Sequence, residues 1–139
     1  MRLAHNAGVS SVNWLHNGNL LAVGVQRNIQ IYDIRTQGRS KPPITIQAHD
    51  NAVHGIRVDP LSDYFVSFSR APEEPVKIWD LRKTGTHVAE IKFVSEIKLQ
   101  AKRTTGSDSA VTVQNIVADV AWGPSSHGTL TVASNDCLR

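Results

Sequence analysis

A four-residue motif, consisting of an aromatic residue, Asp, an apolar residue and Arg, occurs twice in this chain. Residues 32–35 read Tyr-Asp-Ile-Arg and residues 79–82 read Trp-Asp-Leu-Arg. Each copy ends a stretch in which apolar side chains recur at alternate positions, which is the pattern of a β-strand with two different faces. Two such strands with the same ending limit the chain to folds that are built from a repeated β-unit.

A second set of positions recurs with a similar period. His5 and Trp14 are followed, after one common interval, by His49 and Val58. A period of about 40 to 45 residues, with several short strands, an early His and a late Trp-Asp pair, is typical of a WD repeat, the blade of a β-propeller. We therefore predict an all-β, WD40-type propeller fragment with two complete four-stranded blades and a partial third. A ring of about 4 to 8 blades cannot close from these residues.

Apolar alternation and turn residues predict the strands of each blade. They are 9–15, 20–25, 29–35 and 44–47 in the first blade, 53–59, 64–69, 76–81 and 87–93 in the second, and 116–122 and 130–134 in the third. An insertion in the second blade is best placed at 71–75, where we expect a protruding loop.

These patterns divide the chain into a first blade (1–48), a second blade (49–93), an inter-blade loop (94–115) and a partial third blade (116–139). The loop is longer than most connections between secondary-structure elements, which rarely exceed about 12 to 15 residues. Its Lys, Ser and Thr content fits a disordered or family-specific insertion, or alternatively a docking or phosphorylation site. The third corner aromatic would fall one position beyond Arg139, so we expect the chain to be a fragment.

Composition limits the functional class. The chain has 15 basic and 12 acidic residues without a concentrated basic stripe, so we expect no nucleic-acid binding. Its single cysteine, Cys137, allows no intrachain disulfide and fits a reducing compartment. The N-terminus does not lead into a signal-peptide-like stretch, and the longest apolar run is short. We expect a cytoplasmic protein with no direct membrane insertion.

The sequence suggests no catalytic, cofactor-binding or metal site. The histidines lie at repeat positions, in turns or in strands without carboxylate spacing, and neither a Ser-His-Asp arrangement nor a phosphate-binding glycine loop is visible. We therefore expect no enzyme. The residues assigned to structural WD-repeat positions are His5, Trp14, Tyr32, Asp33, His49, Trp79, Asp80 and Trp122.

Well-formed blades of this type contain a buried hydrogen-bond chain of a His, a strand Ser or Thr, a turn Asp and the Trp. In this sequence the turn acid is replaced by Gln26 in the first blade and approximately by Glu73 in the second, and Val113 takes the expected His position of the third. We therefore expect blades that are looser than consensus ones.

Arg35 and Arg82, which end the two corner motifs, are candidate partner-binding residues. They resemble the WDxR feature by which some propellers dock on a cullin ubiquitin-ligase adaptor, where a guanidinium would pair with carboxylate or carbonyl acceptors. The alternative is that each Arg only keeps the corner before the fourth strand of its blade in contact with water.

Three segments together resemble the Mio family of WD-repeat proteins: 20–35, 56–83 and 117–134. The more specific elements are Arg27-Asn28, Val58-Asp59-Pro60, Ser67-Phe68 and the Trp-Asp-Leu-Arg-Lys of 79–83. The likeness extends over nearly the whole chain except 94–115. Earlier blades, a helical solenoid and a Cys/His-rich zinc-binding module, which members of that family also have, are missing from these residues.

The resemblance implies a non-catalytic scaffold subunit of the GATOR complex, which activates target-of-rapamycin signalling when amino acids are sufficient. Its partners would be other WD-repeat or nucleoporin-type propeller proteins, and it would work peripherally at the lysosome or vacuole surface. The alternative function is a substrate receptor of a cullin ubiquitin ligase. Unpaired blade edges also predict self-association.

Overall fold

The computed structural model describes residues 7–36, 43–71, 74, 76–83, 88–91, 116–124 and 129–134. In these ranges the chain forms ten β-strands and one short 3-10 turn, and no α-helix. The strands make two four-stranded sheets and one two-stranded sheet, all antiparallel. The prediction of an all-β, propeller-like fold is therefore confirmed for this part of the chain.

Each sheet follows the order of the sequence. Sheet 1 contains β1 (Val9–Trp14), β2 (Leu20–Val25), β3 (Asn28–Asp33) and β4 (Ile44–Gln47). Sheet 2 contains β5 (Val53–Val58), β6 (Tyr64–Ser69), β7 (Val76–Asp80) and β8 (Ala89–Ile91), and sheet 3 contains β9 (Val117–Trp122) and β10 (Leu130–Ser134).

The ends of two strands differ from the prediction at the corner motifs. β3 ends at Asp33 rather than Arg35, because Ile34–Thr36 form a 3-10 turn, and β7 ends at Asp80 rather than Leu81. In both cases the Asp side chain accepts a hydrogen bond from the backbone N–H two residues later. This local bond competes with strand pairing and turns the chain. His5 and the 94–115 loop lie outside the described residues.

The first strand of every sheet carries the same irregularity. Ser10 in β1, His54 in β5 and Ala118 in β9 are each an extra residue in the register with the next strand. Such a bulge is a local, specific feature of strand pairing. Its recurrence at equivalent positions supports a repeated unit independently of the corner motifs.

The sheets pack face to face in chain order. We call the face that carries Trp14, Val58 or Trp122 the leading face of its sheet, and the opposite face the trailing face. The trailing face of sheet 1 and the leading face of sheet 2 share one apolar core, and the trailing face of sheet 2 and the leading face of sheet 3 share another. The buried members of the first core are Leu15, Ala22, Ile29, Ile31, Ile46, Ala48, Val53, Ile56, Phe65 and Trp79.

Polar contacts fix the positions of the sheets by joining their first strands, β1, β5 and β9, which we call the inner strands. Ser11 Oγ accepts a hydrogen bond from the backbone N–H of Ile56 at 3.1 Å, and Asn13 Nδ2 donates to the carbonyl of Ile56 at 2.9 Å. Arg57 Nη2 contacts Asp119 Oδ1 at 2.8 Å across the second interface. In the described part of the chain no helix has the length and apolar character needed to cross a membrane.

Candidate functional site

A buried chain of polar side chains crosses sheet 2. The Nε1 group of Trp79 on β7 donates to Ser67 Oγ on β6 at 2.9 Å. Ser67 Oγ lies 2.8 Å from Nε2 of His49, which precedes β5. On its other side, His49 Nδ1 faces Glu74 Oε1 at 3.7 Å. The chain therefore joins the β4 to β5 connection, β6, β7 and the loop before β7.

The hydrogen positions in this chain follow from the donors. The indole of Trp79 can only donate, so Ser67 Oγ accepts that bond and has one proton to give. If Ser67 gives it to His49 Nε2, the remaining ring proton lies on Nδ1 and points to the Glu74 carboxylate. A neutral His49 thus satisfies the serine, while its Nδ1 faces the acid at 3.7 Å, beyond hydrogen-bond distance, and has no hydrogen-bond partner among the described residues.

The acid at the end of this chain is Glu74, which corrects the assignment to Glu73. Glu73 lies outside the described residues, whereas Glu74 Oε1 accepts the backbone N–H groups of Asp50 at 2.6 Å and Asn51 at 3.1 Å. The Glu74 side chain is only 10% exposed. The prediction that this loop protrudes is therefore wrong at Glu74, because its carboxylate satisfies backbone donors of the preceding sheet connection.

The surroundings lower the pKa values of both ionisable members of the chain, His49 and Glu74. Burial lowers the pKa of His49 below its ordinary 6.5, with Lys77 acting in the same direction and Glu74 opposing it. Burial alone would raise the pKa of Glu74. The hydrogen bonds from Ser69, Asn51 and Asp50 outweigh that effect and lower the pKa of Glu74. The arrangement favours a neutral His49 beside an ionised Glu74.

The order Ser, His, acid is also that of a hydrolase triad, so its accessibility matters. Ser67 and His49 are both buried, and Ser67 Oγ already accepts the Trp79 N–H. A nucleophilic serine needs room for a substrate carbonyl beside it. In this geometry the polar chain braces the sheet and presents no reactive atom to solvent.

Sheet 1 has different residues at the equivalent positions. Tyr32 pairs with Leu21 as Trp79 pairs with Phe65, and the residue equivalent to Ser67 is Val23, which has no hydroxyl. The hydroxyl of Tyr32 instead donates to Gln30 Oε1 at 2.7 Å, and burial raises the pKa of Tyr32.

The two corner motifs adopt one geometry. Arg35 Nε and Nη2 donate to the carboxylate of Asp33 at 3.0 and 2.8 Å, and Arg82 contacts Asp80 in the same way at 2.9 and 2.8 Å. The hydrogen bond to Arg82 is the main reason why the pKa of Asp80 is lowered. Each guanidinium fork is thus occupied by its own Asp, while the Arg side chains remain 65% and 66% exposed.

Two predicted tryptophan positions have opposite environments. Trp122 is partly buried, and its Nε1 donates to the carbonyl of Arg57 on sheet 2 at 3.0 Å. Trp14 is 53% exposed. Both lie on the leading face at the end of an inner strand, and Val58 has the same position in sheet 2.

Sequence reasoning missed the Arg57 side chain. Besides its ion pair with Asp119, its guanidinium lies 5.8 Å from the ring centroid of Phe68. No short motif marks it; only its inner-strand position could have indicated an inter-sheet contact. Among the residues that the structure describes, no three His, Cys, Asp or Glu side chains come together as metal ligands. No protein-family model matches the chain.

Proposed function

We propose that this chain is a non-catalytic scaffold that binds other proteins through rigid WD40-type propeller blades. Sheets 1 and 2 are the two complete blades and sheet 3 belongs to a third. By its resemblance to the Mio family, the chain would act in the GATOR complex, in the cytoplasm and at the lysosome or vacuole surface. Its partners would be nucleoporin-type propeller proteins.

The observation that carries this proposal is the Trp79, Ser67, His49 and Glu74 chain. It uses the polar side chains of sheet 2 to hold that sheet together, and it leaves aromatic and Arg side chains at the surface. Aromatic and Arg side chains are frequent energetic anchors at protein interfaces. A rigid β-scaffold with such anchors favours protein binding over chemistry.

Affinity purification of the tagged chain, with the bound proteins identified by mass spectrometry, tests the proposal. We expect nucleoporin-type propeller subunits to be retained. Trp79→Ala should abolish their retention because it unfolds sheet 2, while His16→Ala, at an exposed turn, should leave it unchanged. Retention of none of these subunits by the folded wild-type chain would reject the scaffold assignment.

The exposure of Arg35 and Arg82 favours a second candidate, a cullin-ligase substrate receptor. Their forks bind Asp33 and Asp80, so an adaptor would have to contact the outer edge of each guanidinium. Loss of a cullin adaptor after Arg35→Ala and Arg82→Ala, with propeller partners retained, would support this receptor function. Indifference to both substitutions would support the scaffold.

A further inference from the structure

The turn between β1 and β2 contains an asparagine that is followed by a glycine, Asn17 and Gly18. Of the asparagines in the sequence, only Asn17 precedes a glycine. Both residues are exposed, and a Cβ built on Gly18 would meet no atom within 4 Å. The main-chain nitrogen that follows Asn17 is therefore shielded neither by a side chain of its own residue nor by a neighbouring element.

Hydrogen bonds hold this turn in one conformation. The Gly18 N–H donates to the Leu15 carbonyl at 2.9 Å. Asn17 Oδ1 accepts the backbone N–H groups of Asn19 and Leu20, both at 3.1 Å. Gly18 itself has a φ of 67°, a conformation that favours glycine. The two bonds to Oδ1 are exposed to solvent, so the turn can open while the sheets stay packed.

We propose that Asn17 is a site of spontaneous chemical modification, at which the main-chain nitrogen of Gly18 attacks the side-chain amide when the turn opens. The nitrogen loses its proton to a base in solution and forms a bond to Asn17 Cγ. The bond from Cγ to Nδ2 breaks, and the amide nitrogen leaves as ammonia. The product is a five-membered cyclic imide.

Water then opens this imide at either bond of its ring nitrogen. Cleavage of the bond to Cγ leaves an aspartate, whereas cleavage of the bond to the main-chain carbonyl carbon leaves an isoaspartate. The net reaction consumes one water molecule, releases one ammonia and involves no oxidation or reduction. It needs no other protein group, so the site does not depend on the proposed scaffold function.

The folded turn opposes the attack. The proton that the Gly18 nitrogen must lose lies in the hydrogen bond to Leu15. The Asn17 amide is held by the bonds that its oxygen accepts from Asn19 and Leu20. Because these bonds must be released before the nitrogen reaches Cγ, the rate of modification is set by how often the turn opens.

Isoaspartate would alter sheet 1 beyond the turn, because its main chain runs through Cβ and Cγ and is one atom longer. The Leu15 N–H donates to the Leu20 carbonyl at 2.9 Å, and the Asn19 carbonyl accepts the Ile34 N–H at 3.0 Å. Leu15 is only 3% exposed and belongs to the core shared by sheets 1 and 2. A longer link therefore disturbs both the β1 to β2 pairing and the edge of that core.

Peptide mapping by mass spectrometry during incubation near neutral pH measures the conversion. In the chain unfolded in guanidinium chloride, Asn17 should convert several-fold faster than Asn51, which is also exposed in the structure but precedes an alanine. Gly18→Ala should slow Asn17 to the rate of Asn51, since alanine then follows both. Equal rates of Asn17 and Asn51 in the unfolded wild-type chain would overturn the site.

The folded chain tests the role of the turn. Conversion of Asn17 should be slower than in the unfolded chain by on the order of 10-fold or more, because three hydrogen bonds must open first. Exchange of the Gly18 amide hydrogen needs the same opening, so it should be slowed to a similar extent. Absence of conversion while this amide exchanges freely would overturn the proposal.

Conversion as fast in the folded as in the unfolded chain would also contradict gating by the turn. The two N–H groups on Asn17 Oδ1 would then stabilise the oxyanion that forms during the attack instead of restraining the amide.

The structural consequence has its own control. The isoaspartate form, separated by ion exchange and identified by peptide mapping, should unfold at a lower urea concentration than the unmodified chain. Asn17→Asp adds the same charge to an unaltered main chain, and its carboxylate accepts the same N–H groups, so it should unfold like the wild type. An equal loss of stability in both would show that charge, and not the longer main chain, is responsible.

Discussion

At the scale of single residues, the Ser67 hydroxyl connects the two largest buried polar groups of sheet 2. It accepts from Trp79 and contacts His49 Nε2, so the indole N–H and one nitrogen of the imidazole are satisfied through one oxygen. Buried polar groups are costly when they lose their partners. The hydroxyl therefore matters more for stability than its size suggests.

Ser67→Ala should lower the free energy of unfolding by at least about 2 kcal/mol, because the Trp79 N–H and His49 Nε2 both lose their partner and each such loss costs about 1 to 3 kcal/mol. Urea unfolding followed by far-UV circular dichroism measures this. Ser10→Ala removes a surface strand hydroxyl that donates one 3.3 Å hydrogen bond to the Gly24 carbonyl, so it should change stability by about 1 kcal/mol or less. Equal effects of the two substitutions would contradict the role of the buried chain.

Acid should destabilise the fold through His49 and Glu74. In the unfolded chain His49 takes up a proton near its ordinary pKa of 6.5, whereas in the folded protein its lowered pKa keeps it neutral. The unfolded state thus binds more protons, and stability falls as the pH drops below about 6.5. Glu74, whose folded pKa is also lowered, adds a further loss below its ordinary 4.5.

Urea midpoints measured between pH 8 and pH 4 check this dependence. His49→Gln should flatten the fall below pH 6.5. His54→Gln should flatten it less: burial, with Arg70 adding, also lowers the pKa of His54, but this residue is only partly buried. Stability that rises on acidification over this range would show that His49 is protonated in the folded state.

Sequence patterns predicted the corner residues but not the acid of the buried chain. The Asp and Arg of each corner lie at fixed positions, so both could be assigned from the motif alone. Glu74 lies in an insertion, where the offset from the first repeat no longer determines the position, and its neighbour Glu73 has the same chemistry. The contacts of Glu74 with the backbone of Asp50 and Asn51 are what identify it in the structure.

At the scale of the elements, strands were easier to predict than their ends. Alternation and turn residues located β2, β4, β6 and β10 to the residue. The ends of β3 and β7 depend on hydrogen bonds from side chain to backbone, which no periodicity contains. The pairing of β5 with β6 depends on another feature, the close approach of Phe68 to Gly55.

Gly55→Ala should destabilise the protein by about 1 to 3 kcal/mol, the usual cost of overpacking. A Cβ at this position would overlap the Phe68 ring, which is packed between His54 and Arg57. Gly8→Ala is the control, since a Cβ there meets no atom within 4 Å. Thermal unfolding measures both, and adding Phe68→Leu should cost less in Gly55→Ala than in the wild type, because it relieves the overlap.

At the scale of the whole molecule, the two interfaces between sheets differ in kind. Sheets 1 and 2 share a core with members on six strands, β2 to β7, and they are also joined by hydrogen bonds from β1 to Ile56. The described part of sheet 3 has two strands and rests on sheet 2 through Val117, Val120 and Trp122. We therefore expect sheets 1 and 2 to unfold as one unit, and sheet 3 to open at lower cost.

Amide hydrogen exchange can separate these units. Exchange should be slower in β2, β3 and β6 than in β9 and β10, since opening of sheet 3 leaves the core of sheets 1 and 2 intact. Trp122→Ala removes the apolar contact and the hydrogen bond to Arg57, so it should accelerate exchange in β9 and β10 and leave β2 and β3 unchanged.

Trp14→Ala, the same substitution at the equivalent exposed position, should accelerate neither region at concentrations where the chain is monomeric. Equal acceleration of β2, β3, β9 and β10 by Trp122→Ala would instead mean that the three sheets unfold together, because the loss of one interface would then lower the stability of every strand.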